Sequence, residues 1–552
     1  MKKMGFAFVF AAVGMTAAVV GGCGGDDFDS CEANNDCGGT GGADGGTGAS
    51  GGTGGTGNTG GTGGTGNTGG TGGTGGTGGT GGDGGGCDTS KTPSEEACLV
   101  TDEFGVFVSP TGDDSANDGT KSKPFKTIGK ALTTAGTAGK NVYACDDGTG
   151  ITESATMAVS AAHDKHGIYG GFDCTSWAWS ATAKAKVSGA PVALTISNIA
   201  TSFKVENLDI TAANATNSGE SSFGAIVASS KGVVFASVNV TAGEGKAGGA
   251  GSNGTPGADG ADATAAQNGT AATCTSAPPS QDGGKWPGAS PCGAYGGDGG
   301  KALKAAAGQK GSAGIPQTNV TPASVDNGGA AGTGTGNGNP GQPGSNGNAG
   351  TLGAVAAANG SFTSTGFTPA SGNDGGDGFP GQGGGGGGAS SSSSASCIGA
   401  SGGAGGMGGC GGGKGTGGKG GGASVALLSW QSEVSLTGST LTSKKGGDGG
   451  KGGSAAAGGT GKSGGQGGPA AGGLGKGGTG GDGGTGGPGG SGSGGTGGPS
   501  YALVWNGTKP SGGAFQEGTG GAKGPGGAVQ GSGLNPAPDG SAGLAAKEFE
   551  QQ

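Results

Sequence analysis

Phe203-Lys204-Val205-Glu206-Asn207-Leu208-Asp209-Ile210-Thr211 is matched, thirty positions on, by Val233-Val234-Phe235-Ala236-Ser237-Val238-Asn239-Val240-Thr241. A third copy, Val434-Ser435-Leu436-Thr437-Gly438-Ser439-Thr440-Leu441-Thr442, keeps the pattern except that Ser439 stands where an apolar residue is expected. In each copy apolar residues sit two apart, shift by three across a bend, then sit two apart again. Alternation broken by a corner is what two short strands joined by a tight turn produce. A further strand signal precedes two of the copies, at Gly224-Ala225-Ile226-Val227-Ala228 and Val425-Ala426-Leu427-Leu428-Ser429. Tyr501-Ala502-Leu503-Val504-Trp505 reads as a last, incomplete copy, and Asn141–Cys145, Gly167–Phe172 and Val192–Ile196 as less regular earlier ones. Repeats of this kind bury their apolar face by stacking, so the expected fold is an all-β solenoid.

Ahead of the repeats, Glu103-Phe104-Gly105-Val106-Phe107-Val108-Ser109-Pro110 is an apolar strand. An acidic turn follows through Gly112-Asp113-Asp114 and Asp118-Gly119-Thr120, then Pro124-Phe125-Lys126-Thr127-Ile128-Gly129-Lys130-Ala131-Leu132 opens a short amphipathic helix. This order resembles the opening segment of secreted right-handed parallel β-helices of the pectate-lyase-like type. Ile168-Tyr169-Gly170-Gly171-Phe172-Asp173, with Trp177 after it, resembles their early coils. The resemblance implies a short right-handed parallel β-helix whose first coil is closed by an N-terminal capping helix. Cys145 and Cys174 lie 29 positions apart, close to one coil. In register they would stack at about 4.8 Å, inside the Cα window for a disulfide.

Composition limits what else the chain can be. Glycine supplies 156 of 552 residues, about four times ordinary usage. Collagen is excluded, because it needs strict Gly-X-Y with abundant imino acids and only 22 prolines are present. Aromatic residues make up 5% of the chain, so only the Gly-poor stretches near 100–242, 423–443 and 500–507 can bury much apolar surface. Net charge is −10, and the basic residues are all lysine. Nucleic acid is not an expected partner, since it requires a clustered cationic footprint.

The N-terminus reads as an address. Lys2-Lys3 precede an apolar run from Phe6 to Val20, too short to remain as a spanning helix, and Val20-Gly21-Gly22-Cys23 follows. Small residues before a cysteine resemble the bacterial lipobox, which implies cleavage before Cys23, lipidation of its thiol and a lipid membrane as partner. Gly24 after it suggests, by analogy with Gram-negative lipoproteins, passage to the outer membrane. Residues 38–86 repeat Gly-Gly-Thr and lack the apolar surface that would offset their ordering, so a flexible tether is expected there. The remaining cysteines, Cys31, Cys37, Cys87, Cys98, Cys145, Cys174, Cys274, Cys292, Cys397 and Cys410, are even in number and read as disulfides of an exported chain. Connectivity does not follow from sequence; their order in close pairs favours neighbours bonding to neighbours, including Cys274 with Cys292 and Cys397 with Cys410.

Val233 and Val434 lie 201 positions apart where one coil needs about thirty. The long insertion starts right after Thr241-Ala242, and a second starts right after Thr442-Ser443. Equal positions of a solenoid lie on one edge, so both tracts should leave side by side. Polyproline-II-type strands rich in glycine can approach closely and bond laterally. Such bundles resemble the Gly-rich sectors of mycobacterial PGRS-type surface proteins and some phage tail-tip adhesins. Disorder is the other reading, given the entropy that glycine loses on folding.

Chemistry is sparse. Pectate lyases, which the coil motifs resemble, use calcium and a basic residue, typically arginine, and no arginine is present. Asp209 has no matching acid in the other copies for a carboxylate pair. His163, Asp164 and His166 read as a solvated turn, as do Asp113, Asp114, Asn117 and Asp118, which depart from an EF-hand. Gly372-Asn373-Asp374-Gly375-Gly376-Asp377-Gly378-Phe379 faintly resembles a calcium-binding nonapeptide repeat, but those sites need stacked repeats and this is one broken copy. No catalytic residue, metal or cofactor is assigned. The expected organisation is signal peptide 1–22, anchor and tether 23–99, N-terminal coils 100–242, insertion 243–422, coil 423–443, insertion 444–499, and last partial coil with tail 500–552. The expected function is that of a non-enzymatic surface protein, structural or adhesive, contacting polysaccharide or surface matrix. A polysaccharide lyase or hydrolase is the alternative, and a matrix- or ice-associated polyglycine protein the second.

Overall fold

The computed structural model describes residues 87–288, 290–323, 325–529 and 535–552. Segment 1–22 and residues 23–86 of the expected segment 23–99, with Cys23, Cys31 and Cys37, lie outside the described residues.

The protein is predominantly β, with few helices and mostly parallel pairing. An 11-stranded and a 6-stranded sheet carry the apolar runs of the sequence. The larger sheet bends along its middle: Val434–Thr442 pairs through one half with Val233–Ala236 and through the other with Asn239–Thr241. Three faces result. The first runs through Gly105–Val108, Asn141–Asp146, Gly167–Asp173, Phe203–Glu206 and Val233–Ala236; the second through Ile151–Thr152, Ala185–Gly189, Leu208–Ala212 and Asn239–Thr241. The third is the separate sheet, Met157–Val159, Val192–Ser197, Ser222–Ala228, Ser424–Trp430, Ser500–Asn506 and Ala545–Glu550. Along the chain the strands recur as first, second, third face, and each pairs in parallel with its equivalent one recurrence later. This arrangement is compatible with a parallel β-helix-like fold.

The three aligned copies occupy neighbouring rungs: Phe203 pairs with Val233 and Val233 with Val434, while Thr211 pairs with Thr241 and Thr241 with Thr442. Residues two apart point inward, and Val205, Phe235, Leu208, Ile210, Val240, Leu436 and Leu441 meet in one core. Two corners are single-residue bends in left-handed backbone. Asn207 (φ 52°), Ser237 (φ 53°) and Gly438 (φ 61°) turn the first face into the second. Asn198 (φ 59°), Ser229 (φ 50°), Gln431 (φ 48°) and Gly507 (φ 89°) turn the third into the first. One residue at positive φ turns the strand sharply within a step, and asparagine tolerates it best after glycine. The sequence pattern makes Tyr501–Trp505 the last copy, but Ser511–Gln516 and Ala545–Glu550 add one more strand to every face. Gly512 and Gly513 replace the bend and hide that rung from hydropathy.

Helix α1 (Ile128–Ala138) lies over the first rung, with Ile128, Ala131, Leu132 and Ala135 buried in the same core. Its start is over-determined. The Thr127 side chain accepts from the Lys130 N–H, and the buried Glu153 carboxylate accepts from the Ile128 and Gly129 N–H groups, at 2.5 and 3.2 Å. Gly139 closes the helix at φ 64°. Third-face strands read as unbroken apolar runs because both sides are covered. Outside, Phe223, Val425 and Tyr501 form one ladder and Ile226, Leu428 and Val504 another. The hairpin Ser361–Thr363/Gly366–Thr368 lays Phe362 and Phe367 upon them.

All long excursions leave the third corner, from second face to third. Residues 243–422, 444–499 and 517–544 each separate a second-face strand from a third-face strand. They depart side by side: Ala242 N–H donates to Thr442 O at 2.9 Å and Gly245 N–H to Lys445 O at 3.0 Å. The pairing then continues every third residue, through Gly248, Gly251, Gly254, Gly257 and Gly260 donating to Asp448, Lys451, Ser454, Ala457 and Thr460. Segment 401–422 runs against both, and 475–498 and 370–390 extend the array. Three residues per repeat is the period of polyproline-II backbone.

Glycine frequency follows the number of neighbours. Segment 245–260 carries the bonding glycine at every third position and has its partners on one side. Segment 475–490 is Gly-Gly-X, with Lys476, Asp482 and Thr485 exposed at X and the glycines against 401–413 and 336–351. Gly383–Gly388 has no X and is buried throughout. Its six N–H groups donate to Ile315, Gly406, Gln342, Ser312, Gly403 and Asn339 carbonyls. Its six carbonyls accept from the Asn327 side chain and the N–H groups of Gly297, Gly481, Gly329, Gly300 and Gly478. Every polar backbone group of the run is satisfied without water, which a buried irregular chain requires. Two buried amides finish this interior: Asn327 bridges Gly314, Pro343 and Gly383, and Gln382 bridges Gly314, Val325 and Ser345.

Candidate functional site

On the second face, outward positions form two ladders. One reads Thr152, Ser188, Thr211, Thr241, Thr442 and Gln516 on successive strands. The other reads Lys186, Asp209, Asn239 and Thr440. The strands place them by alternation, since Val187, Ile210, Val240 and Leu441 between them face the core. Thr149 and Gly150 wall one end, enclosing a groove of about 410 Å³. Asp209 Oδ1 accepts from the Asn239 side-chain amide, so the groove's one carboxylate is already engaged. Hydroxyls, an amide, an ammonium and a carboxylate repeat at the rung spacing, an array suited to hydrogen-bonding many hydroxyls along an extended ligand.

A signal for this ladder existed: the last position of all three aligned copies is threonine, and Asp209, Asn239 and Thr440 share another position. Ser188 and Lys186 belong to an irregular rung and gave none.

Other singled-out residues have structural roles. His163 is buried, not solvated as the sequence suggested: its Nδ1 accepts from Ser160 N–H and its Nε2 donates to Leu132 O at 3.0 Å, tying α1 to the core. Asp164 accepts from the Thr201 and Ser202 N–H groups of the next rung. Burial holds the His166 imidazole below its ordinary pKa, with the neighbouring His163 adding to the effect. In the acidic turn, Asp113 accepts from Ser115 and Ala116 N–H, Asp118 from Thr120, and Asp114 from Lys126, Thr127 N–H and the Thr127 hydroxyl. These carboxylates shape the approach to α1. Asp374 accepts from Gly417 N–H and Asp377 from Lys414 N–H, so the nonapeptide-like stretch grips a neighbouring segment. Among the described residues no three His, Cys, Asp or Glu side chains cluster as metal ligands.

Cys87–Cys98 and Cys145–Cys174 are bonded, the latter with Cα atoms 5.0 Å apart. The neighbour pairing fails in the long excursion, where the bonds are Cys274–Cys397 and Cys292–Cys410. Chain order misled because 401–422 folds back against the earlier part: Thr273 and Ile398 exchange backbone hydrogen bonds, and Cys410 N–H donates to Ala258 O. Four disulfides point to an extracellular or exported protein. Among the described residues no helix is long and apolar enough to cross a membrane.

No protein-family model matches the chain, and no curated protein matches it. Among solved structures, a GH136 lacto-N-biosidase from Eubacterium ramulus is similar over 25% of this chain and 27% of that one, at 16% identity and TM-score 0.15. The chain thus spans about a quarter of that protein's length, and a likeness this slight carries no argument about fold or activity.

Proposed function

We propose that the protein is a non-enzymatic, lipid-anchored surface adhesin that holds extended polysaccharide along the second face. In this reading the three faces wind as a right-handed parallel β-helix, α1 is its lid, and the excursions pack as a polyglycine-II-type bundle. Cys23 carries the lipid, and residues 38–86 hold the folded part clear of the membrane. The observation that carries the binding role is the ladder Thr152, Ser188, Thr211, Thr241, Thr442 and Gln516 beside a groove. Its repeat, about 4.8 Å per rung, is comparable to one pyranose unit of an extended glycan. Hydrolysis by paired carboxylates needs two acids across one cleft, and the groove's lining has Asp209 alone. A matrix- or ice-associated lattice would favour a surface with little charge; Lys462–Asp259, Lys414–Asp374 and Lys523–Asp539 pairs on the glycine-rich segments argue against it.

The test is affinity electrophoresis of the soluble form, lacking the signal and with Cys23→Ser, through gels containing a panel of polysaccharides. Retardation by at least one polysaccharide without new reducing or unsaturated ends is expected. Thr211→Val with Thr241→Val, which keeps strand shape and removes two hydroxyls, should abolish the retardation. Turnover, or retardation indifferent to these substitutions, overturns the reading.

A further inference from the structure

Parallel glycine-rich segments are joined by a recurring two-bond clasp. In Asn253-Gly254, Asn253 Oδ1 accepts the N–H of Ser454 at 2.8 Å, and Gly254 N–H donates to the carbonyl of the same Ser454 at 2.9 Å. Both backbone groups of one residue are thus held by one Asn-Gly dipeptide. Asn268-Gly269 grips Gln466 in the same way, Asn337-Gly338 grips Lys476, and Asn346-Gly347 grips Thr485. Asp259-Gly260 does so to Thr460, and Asp448-Gly449 to Ala522. The gripped residues would otherwise leave an N–H unpaired, since the lateral glycine bonds use the positions between them.

Asn-Gly is also the dipeptide most prone to losing side-chain ammonia. The glycine nitrogen gives up its proton and bonds to the asparagine Cγ, the Cγ–NH2 bond breaks, and ammonia leaves. Water then opens the five-membered imide at either carbonyl, giving aspartate or isoaspartate. One water is consumed and one ammonia released, with no change of oxidation state. In the clasp the glycine proton is committed to one carbonyl and Oδ1 to one N–H. Both bonds must open before the nitrogen can close on Cγ. Asn359-Gly360 lacks this protection: it lies in a bend before Ser361, Gly360 is at φ 108°, and among the described residues neither the Asn359 side chain nor the Gly360 N–H finds a partner.

We infer that Asn359-Gly360 is the deamidation and isomerisation site of the folded protein, while Asn253, Asn268, Asn337 and Asn346 are held unreactive by their clasps, and Asn327 and Asn506, the other two asparagines followed by glycine, by hydrogen bonds at both ends of their side-chain amides. The aspartate product would still clasp, as Asp259 and Asp448 do. Isoaspartate would not, because it adds a carbon to the backbone and breaks the three-residue period.

The test is peptide mapping by mass spectrometry after incubating the whole folded protein at mildly alkaline pH, with a parallel sample in strong denaturant. In the folded sample Asn359 should convert first, with the four clasped residues, Asn327 and Asn506 at least about tenfold slower. In denaturant all seven Asn-Gly asparagines should convert at comparable rates, since each is followed by glycine. Asn359→Gln should remove the early product. Any of the other six Asn-Gly asparagines converting in the folded sample within about twofold of Asn359, or Asn359 persisting intact there, overturns the inference.

Discussion

A Cβ added at Gly385 would overlap the carbonyl of Asn327, and one at Gly384 that of Gly481. These positions are glycine because backbone approaches backbone on every side, and no rotamer relieves a clash at Cβ. Gly385→Ala is therefore expected to destabilise the protein by about 3 kcal/mol, read as a lowered guanidinium midpoint. Thr485→Ala, at an exposed X position of the Gly-Gly-X segment, should fall within about 0.5 kcal/mol of the parent. Equal effects at the two sites would show that neighbour number does not set glycine frequency.

Among elements, the corners matter most, because strands only two to seven residues long between bends hold register only if each bend falls at the same place. Asn207 is 2% exposed, sits at φ 52°, and donates from its side-chain amide to Ser180 O. Asn207→Ala adds left-handed strain and removes that bond, a loss of about 1–3 kcal/mol. Asn207→Gly should recover the strain component and leave only the smaller deficit. Thermal unfolding of the pair checks this, and an alanine variant as stable as the glycine one would deny the bend its role. The corner was visible in sequence as the three-residue shift between apolar pairs. The strands Ser511–Gln516 and Ala545–Glu550 were not, because Gly512 and Gly513 interrupt the first, and in the second Glu548 and Glu550 stand in register with the core residues Leu503 and Trp505. Those charges stand on the last strand of the sheet, where they discourage pairing with another chain.

For the whole molecule, acid should loosen the glycine-rich array. Hydrogen bonds hold three of its carboxyls below their ordinary range: the Thr460 N–H at Asp259, the Gly417 N–H at Asp374 and the Gly526 N–H at Asp539, each helped by a lysine. A depressed pKa means the folded chain binds fewer protons than the unfolded one. The contribution is therefore complete above about pH 5 and is lost as pH falls through the ordinary carboxyl value toward the lowered one. Unfolding midpoints should stay level from neutrality to about pH 5 and then drop. Asp259→Asn, which can keep the clasp as Asn253 does, should flatten part of that fall; an unchanged profile would contradict the assignment.

Local information went far where the physics is local. Alternation and the bend located the strands of the aligned copies. The shared positions Thr241-Ala242 and Thr442-Ser443 told where both excursions leave, since equal positions of a stack share an edge. The lateral order of the glycine-rich segments was beyond reach of the sequence. Glycine carries no side chain to choose a partner, so which segment lies beside which is set by how all of them close around Gly383–Gly388. The same closure brought Cys274 to Cys397 and Cys292 to Cys410 across more than a hundred residues, against the order in which the chain presents them.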